Sequence, residues 1–180
     1  MSQVPEPERY STPVPDLYFR FATREDVPVV LGLIRELAEF ERLGDQVAAD
    51  ETTLGDGLFG ERRVAEVVLA EWKGEAVGFA VFFHNFSTFL GRAGLHLEDL
   101  YVKPDTRGLG VGRWLITFVS RIAVDRKCGR FEWSVLDWNT RALDFYRALG
   151  AVAMDEWTVQ RVTGAALQRL GSHEFPQVAS

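Results

Sequence analysis

Cysteine is almost missing from this 180-residue chain: Cys128 stands alone. A single thiol excludes an internal disulfide framework and a multi-cysteine metal centre, and no metal is expected. Cys128 follows a helical pattern and precedes a strand-like one, where a packed free thiol is the ordinary outcome. Long apolar runs are also missing. No stretch approaches the roughly 18 residues of a membrane span, so no membrane partner is expected. Basic excess is missing as well: 20 Lys and Arg stand against 26 Asp and Glu, for a net charge of −6. That balance argues against nucleic acid, whose binders carry a basic patch, and it suits a cationic substrate. Proline is scarce along most of the chain, but four of the seven crowd into Ser2–Asp16. That polar opening has no apolar core of a secretory leader, so the cytoplasm is the expected location.

The length suits one domain with a sizeable core. Residues 1–16 read as a flexible arm, 17–171 as a single domain and 172–180 as a tail. Leu17–Ala22 alternates as a first strand. Thr23 and Pro28 mark a helix start, and Val30, Leu33, Ile34, Leu37 and Ala38 share one face of a helix reaching about Glu41. A short second helix fits Asp50–Phe59. Val64–Trp72 and Ala76–Asn85 form a hairpin around Lys73-Gly74-Glu75. Phe86–Gly94 reads as a loop and Leu95–Val102 as a strand. A helix follows to about Lys127, then a strand over Arg130–Val135, a helix over Asn139–Leu149 stopped by Gly150, and a last strand over Glu156–Val162. Strand–helix alternation in the second half implies a mixed sheet with helices on both faces.

The densest signal is Arg107-Gly108-Leu109-Gly110-Val111-Gly112, between the Leu95–Val102 strand and an amphipathic helix carrying Trp114, Leu115, Phe118, Val119, Ile122 and Ala123. Glycines allow a tight turn, and a helix N-terminus with unpaired N–H groups attracts phosphate. A kinase-type loop requires Lys-Ser/Thr after its last glycine, where Arg113-Trp114 stand. A dinucleotide fingerprint requires glycine at position 113. A plain glycine turn before a helix is also ordinary. The spacing Arg/Gln-x-x-Gly-x-Gly/Ala, met here by Arg107, Gly110 and Gly112, resembles the acyl-coenzyme A loop of GNAT acetyltransferases.

Other segments carry the same resemblance in order and spacing. They are Leu97-Glu98-Asp99-Leu100-Tyr101-Val102, Trp138-Asn139, Asp144-Phe145-Tyr146-Arg147 with Gly150-Ala151, and Leu33–Glu41 with the trailing Asp45-Gln46-Val47. Together they resemble the diamine branch, the spermidine/spermine and thialysine acetyltransferases, over about Tyr18–Leu170. The resemblance implies an α/β GNAT fold: a mixed central sheet of six to seven strands with a splayed central pair. It implies acetyl-CoA as cofactor, a small cationic amine as substrate, and a homodimer. Backbone of Leu100, Tyr101 and Val102 would bind pantetheine. Gly108, Leu109, Gly110, Val111, Gly112 and Arg113, opened by Arg107, would hold pyrophosphate, and Asn139, Thr140, Arg141 and Ala142 would touch the cofactor farther along.

The resemblance also places Tyr146 beside the sulfur as general acid. A thiol of pKa near 8.5 and a phenol near 10 can exchange a proton without extreme tuning. The amine is harder: with pKa near 10.4, only about one in 2,500 is neutral at pH 7, a deficit of roughly 4.6 kcal/mol. Glu98 is the candidate catalytic base and substrate ligand, acting through water. Strand alternation sets His96 on the Glu98 side and turns Asp99 away, unless a bulge re-aims it. Phe40, Glu41, Glu132, Trp133, Ser134 and Asp155 match substrate-side positions, and Phe40 stands where polyamine enzymes often carry tyrosine. Two other outcomes stay open: the same chemistry on a protein, peptide or other amine, and a module that binds acyl-CoA without catalysis.

Overall fold

Six strands form one sheet in chain order: β1 (Tyr10–Ser11), β2 (Leu17–Phe21), β3 (Glu66–Trp72), β4 (Glu75–Ser87), β5 (Arg92–Val102) and β6 (Phe131–Trp133). The computed structural model describes residues 7–173. Two compact units divide the chain, Met1–Ser134 and Val135–Ser180, and the whole sheet lies in the first. β1 to β5 pair antiparallel, each with the next. β6 returns parallel to β5 after a helical crossover, the connection a parallel pair requires.

Period-2 alternation sends side chains to two faces, and each face has its own helices. Thr23 and Asp26 form a reciprocal cap ahead of α1 (Val27–Phe40), with Pro28 in the first turn. Val30 and Leu33 of α1 and Leu58 of α2 (Glu51–Phe59) pack on Val67, Leu69, Phe79, Val81 and Tyr101. On the opposite face Phe118 of α3 (Val111–Asp125) meets the rings of Phe19 at 5.5 Å and Tyr10 at 4.9 Å. Large apolar residues on both faces are therefore removed from water, the dominant favourable contribution to folding.

An ion cluster closes the β2–β3 end. Arg20 donates to both Asp26 oxygens at 2.6 and 2.8 Å and to Glu71 at 2.8 Å, and Arg9 reaches the other Glu71 oxygen at 3.0 Å. Burial pushes Asp26 up, but the Arg20 and Thr23 hydrogen bonds outweigh it and hold its pKa below the usual carboxylate range.

The expected splay is present. β5 and β6 pair only at Leu95–Phe131, His96–Glu132 and Leu97–Trp133, while β5 continues to Val102. The mixed sheet and the helices on both faces also match the expectation. Three segments differ from it. Tyr10–Ser11, inside the expected arm, pairs with Phe19 and Tyr18. The loop expected over 86–94 shrinks, because Phe86–Ala93 and Ser87–Arg92 extend the β4–β5 ladder. The strand expected over 156–162 does not form among the described residues. The second unit instead contains α4 (Thr140–Ala148) and α5 (Gly164–Gly171), and Trp157 and Val159 between them are exposed. Alternation supplies a strand's two faces but not the neighbouring edge that satisfies its backbone. Residues 1–6 of the arm and 174–180 of the tail lie outside the described residues.

Candidate active site

The glycine loop is built by backbone conformation. Gly108 and Gly110 have φ of +89° and +86°, in the left-handed region, which an L side chain enters at a cost of roughly 1–2 kcal/mol. Gly110 caps α3 with no side-chain hydrogen bond. The first N–H groups of a 15-residue helix are thus left without a side-chain acceptor, the arrangement that binds an anion. A Cβ on Gly112 would sit 3.6 Å from Val102, an ordinary contact, so a small residue is tolerated there as the motif's Gly/Ala alternative requires. Leu109 is 41% exposed, Arg113 is exposed, and Val111 is buried as the helix anchor.

Beside this loop, β5 offers an open edge. Its residues from Glu98 to Val102 have no partner in β6. Lys103 N–H donates to Val77 at 2.8 Å, which fixes the alternation and turns the backbone of Leu100 and Val102 to the open side, while Tyr101 stands opposite Phe79. The loop and this edge fit a ligand with a diphosphate at one end and an amide-bearing arm at the other. Val102 already accepts from Arg107 Nε at 3.0 Å.

The placement of the β5 carboxylates turns on a bulge. Val81 pairs with Asp99 but Phe82 with Leu97, leaving Glu98 as the extra residue. Bulges re-aim side chains, often next to active sites. Register therefore groups His96, Asp99 and Tyr101 with Phe83, Val81 and Phe79 on the α1 face. This corrects the simple alternation that set Asp99 on the opposite side from His96. The Glu98 side chain is 59% exposed, with an oxygen 3.8 Å from His96 Nε2, and the His96 ring stacks on Phe83 at 5.0 Å.

Asp99 is the carboxylate that sequence reasoning passed over. Burial, then the neighbouring charges of Glu98 and Glu41, push its pKa up to about 6. Burial also raises Glu41, at the C-terminal end of α1. No cationic side chain offsets either group among the described residues. Two desolvated, uncompensated carboxylates are costly. A cation arriving between them recovers that cost. The available signal was the pair of adjacent acids inside an otherwise apolar strand.

The other sequence-predicted residues fall in several environments. Phe40 is 40% exposed under the Arg107 guanidinium. Glu132 shares the His96 register but is occupied: Asn85 Nδ2 donates to it at 2.6 Å and Arg130 pairs with it at 3.1 Å. Trp133 is in register with Leu97, on the α3 face, and stacks on Phe131 at 5.0 Å. Ser134 follows β6 and is exposed. A cleft of about 440 Å³ is lined by Arg35, Glu39, Arg42, Gly44, Asp45 and Val47, and neither Glu41 nor Asp99 lines it.

Within the second unit, Asn139 caps α4, accepting from Ala142 N–H at 3.2 Å, with Thr140 and Arg141 exposed on its first turn. Tyr146 is half-buried on the same helix and packs on Phe145 at 5.3 Å. Gly150, at φ +91°, ends the helix as expected. Asp155 is exposed in a turn. Among the described residues no helix is long and apolar enough to cross a membrane.

A left-handed glycine turn on a helix N-terminus, a splayed strand edge and a bulged carboxylate strand are a combination with relatives. Residues 32–151 match the model of the acetyltransferase (GNAT) family. The chain is 41% identical over 162 residues to a Bos taurus thialysine N-epsilon-acetyltransferase, covering 84% of this chain and 95% of that protein. It is 31% identical over 196 residues to an Arabidopsis thaliana L-ornithine N5-acetyltransferase, covering 84% and 86%. Among solved structures, an integron cassette protein from the mobile metagenome of V. cholerae superposes with a TM-score of 0.75 at 25% identity, covering 88% of this chain and 99% of that one. With the motif, the sheet and these relatives in agreement, the chain belongs to the GNAT acetyltransferase family.

Proposed function

We propose that this protein transfers the acetyl group of acetyl-CoA to a primary amine of a small, doubly cationic acceptor: a diamine, a polyamine, or a diamino acid such as thialysine or ornithine. The observation that carries this reading is the pair of desolvated carboxylates, Asp99 and Glu41, with no protein cation beside them. An ammonium ion fits that vacancy of charge. The relatives' activities agree with it.

Bound acetyl-CoA supplies an acyl group activated as a thioester. The α3 N-terminus and the loop from Arg107 to Arg113 hold its diphosphate, and the open backbone of Leu100 and Val102 orients its arm. Glu41 holds the far ammonium of the acceptor. Asp99 takes the proton from the reacting ammonium, directly or through one water. Its pKa of about 6 narrows the gap to an amine near 10.4 relative to an ordinary carboxylate. Glu98, exposed at the bulge, attracts the incoming cation. Tyr146 delivers a proton to the departing sulfur. Transfer is direct, with no acyl-enzyme, and Cys128 has no role in it. A cytoplasmic location belongs to this reading, in keeping with one free thiol and no disulfide. So does a homodimer: Phe86 and Phe89, 63% and 94% exposed near the β4–β5 turn, are apolar surface of the kind a second copy would cover.

The test is release of free thiol from acetyl-CoA with putrescine, spermidine, thialysine, ornithine and the monoamine butylamine, for wild type and Glu41→Gln. Doubly charged acceptors are expected to lead, and Glu41→Gln to erase their advantage. A best acceptor with one cationic group, untouched by Glu41→Gln, overturns the reading.

A further inference from the structure

The side chain of Arg107 serves the acceptor side of the site, although its backbone opens the phosphate loop. Its Nε donates to the Val102 carbonyl at 3.0 Å, which ties it to the end of β5. Its guanidinium lies 4.7 Å over the Phe40 ring and 5.8 Å over the Tyr101 ring. Phe40 is the last residue of α1, and Glu41 follows it. One turn earlier, Glu36 accepts from Tyr101 Oη at 3.2 Å and pairs with Lys103 at 3.6 Å. The last two turns of α1 are therefore tied to the end of β5 by three side-chain links, and Arg107 makes the one nearest Glu41.

We infer that Arg107 is a positioning residue for acceptor binding: its guanidinium, clamped on Phe40, fixes the α1 end and with it the spacing of Glu41 from Asp99. The inference rests on the acceptor reading of the preceding section. Phe40 is 40% exposed, and the planar cation stacked on its ring is one of the contacts that hold it. Such contacts are worth roughly 0.5–1 kcal/mol when exposed and about 2 when desolvated. A drift of the helix end would separate two carboxylates that act on one dication, without disturbing the glycine conformations that hold the diphosphate.

A double-mutant cycle on Phe40→Leu and Arg107→Gln tests it, with steady-state KM and kcat for both substrates. Glutamine is the residue the loop motif accepts in place of arginine, so the loop is preserved while the guanidinium is removed. Each single variant is expected to raise acceptor KM about 3- to 10-fold, with kcat and the acetyl-CoA KM within about twofold. The double variant is expected to be no worse than the poorer single one, because residues sharing one contact are not additive. Phe40→Tyr, which keeps the ring face under the guanidinium, is expected to raise acceptor KM less than Phe40→Leu does. Multiplying single effects, or an Arg107→Gln defect confined to acetyl-CoA KM, overturns the inference. Thermal melts of all four proteins separate loss of fold from loss of position. Wild-type turnover on a diamine keeps the acetyltransferase reading intact whichever way the cycle falls.

Discussion

The proposed donor side of the site and its proposed acceptor side are made of different materials. The donor side is backbone: two left-handed glycines, a helix N-terminus without a side-chain cap, and a strand edge without a strand partner among the described residues. The acceptor side is side chain: carboxylates whose worth depends on how far water is excluded from them. A backbone site depends on conformations that few residues can adopt, so substitution there is punished by strain. A side-chain site depends on placement, so the same residue is central or idle according to its register and its neighbours.

The comparison is broken most forcefully where proton transfer fails on one side alone. Tyr146→Phe is expected to lower kcat by about 100-fold or more, in the range of general acid catalysis, with the acetyl-CoA dissociation constant unchanged by calorimetry. Asp99→Asn is expected to cost about 100-fold in kcat/KM on the acceptor side. Its pH signature is specific. Asp99 must be ionised to take a proton, so wild-type kcat/KM should fall about tenfold per pH unit below its value of about 6. That limb should vanish in Asp99→Asn and persist in Glu98→Gln; a limb that vanishes only in Glu98→Gln would return the base role to the bulge residue. On the donor side, Gly110→Ala forces a side chain to φ +86°. The strain, roughly 1–2 kcal/mol, should raise acetyl-CoA KM about 5- to 30-fold and leave acceptor KM near wild type.

The acceptor side also leaves a mark on folding. The folded-state pKa of Asp99 is raised from 3.8 to about 6, so the native state gives up this proton less readily than the unfolded chain. Stability from this group is present below pH 3.8 and is lost as pH rises through 6. Asp99→Asn removes the loss, and denaturant titrations should show the variant more stable at neutral pH by about 3 kcal/mol. The gain should shrink steadily on acidification and vanish below about pH 3. An equal gain at all pH values would mean that packing, not charge, is responsible.

The same contrast explains what could be read in the sequence. Arg107, Gly110 and Gly112 were legible because a glycine requirement at fixed spacing is local, and so was the run of α3 behind them. α1, with its cap and its apolar face, was legible for the same reason. Asp99 was not, because its face is set by a bulge that appears only when β5 meets β4. Phe40 over Arg107 was not, because the partners lie 67 positions apart in sequence (107 minus 40). The strand expected over 156–162 shows the opposite failure: a correct local pattern with no edge to complete it among the described residues.

The mildest prediction is the sharpest test of the contrast, because it concerns a carboxylate in the right place that is already occupied. Glu132 lies in register with His96, and the family resemblance sets it among the substrate-side positions. Its two oxygens are taken, one by Asn85 Nδ2 at 2.6 Å and the other by Arg130 at 3.1 Å. A satisfied carboxylate gains less from an ammonium than a desolvated one without a partner, since it must first surrender a bond. Glu132→Gln keeps the oxygen that Asn85 uses and removes only a half-exposed ion pair, worth about 1 kcal/mol or less. Acceptor kcat/KM should therefore stay within about twofold of wild type, against the roughly 100-fold loss in Asp99→Asn. A tenfold or larger loss in Glu132→Gln would show that proximity, and not the absence of a partner, decides which carboxylates bind the amine.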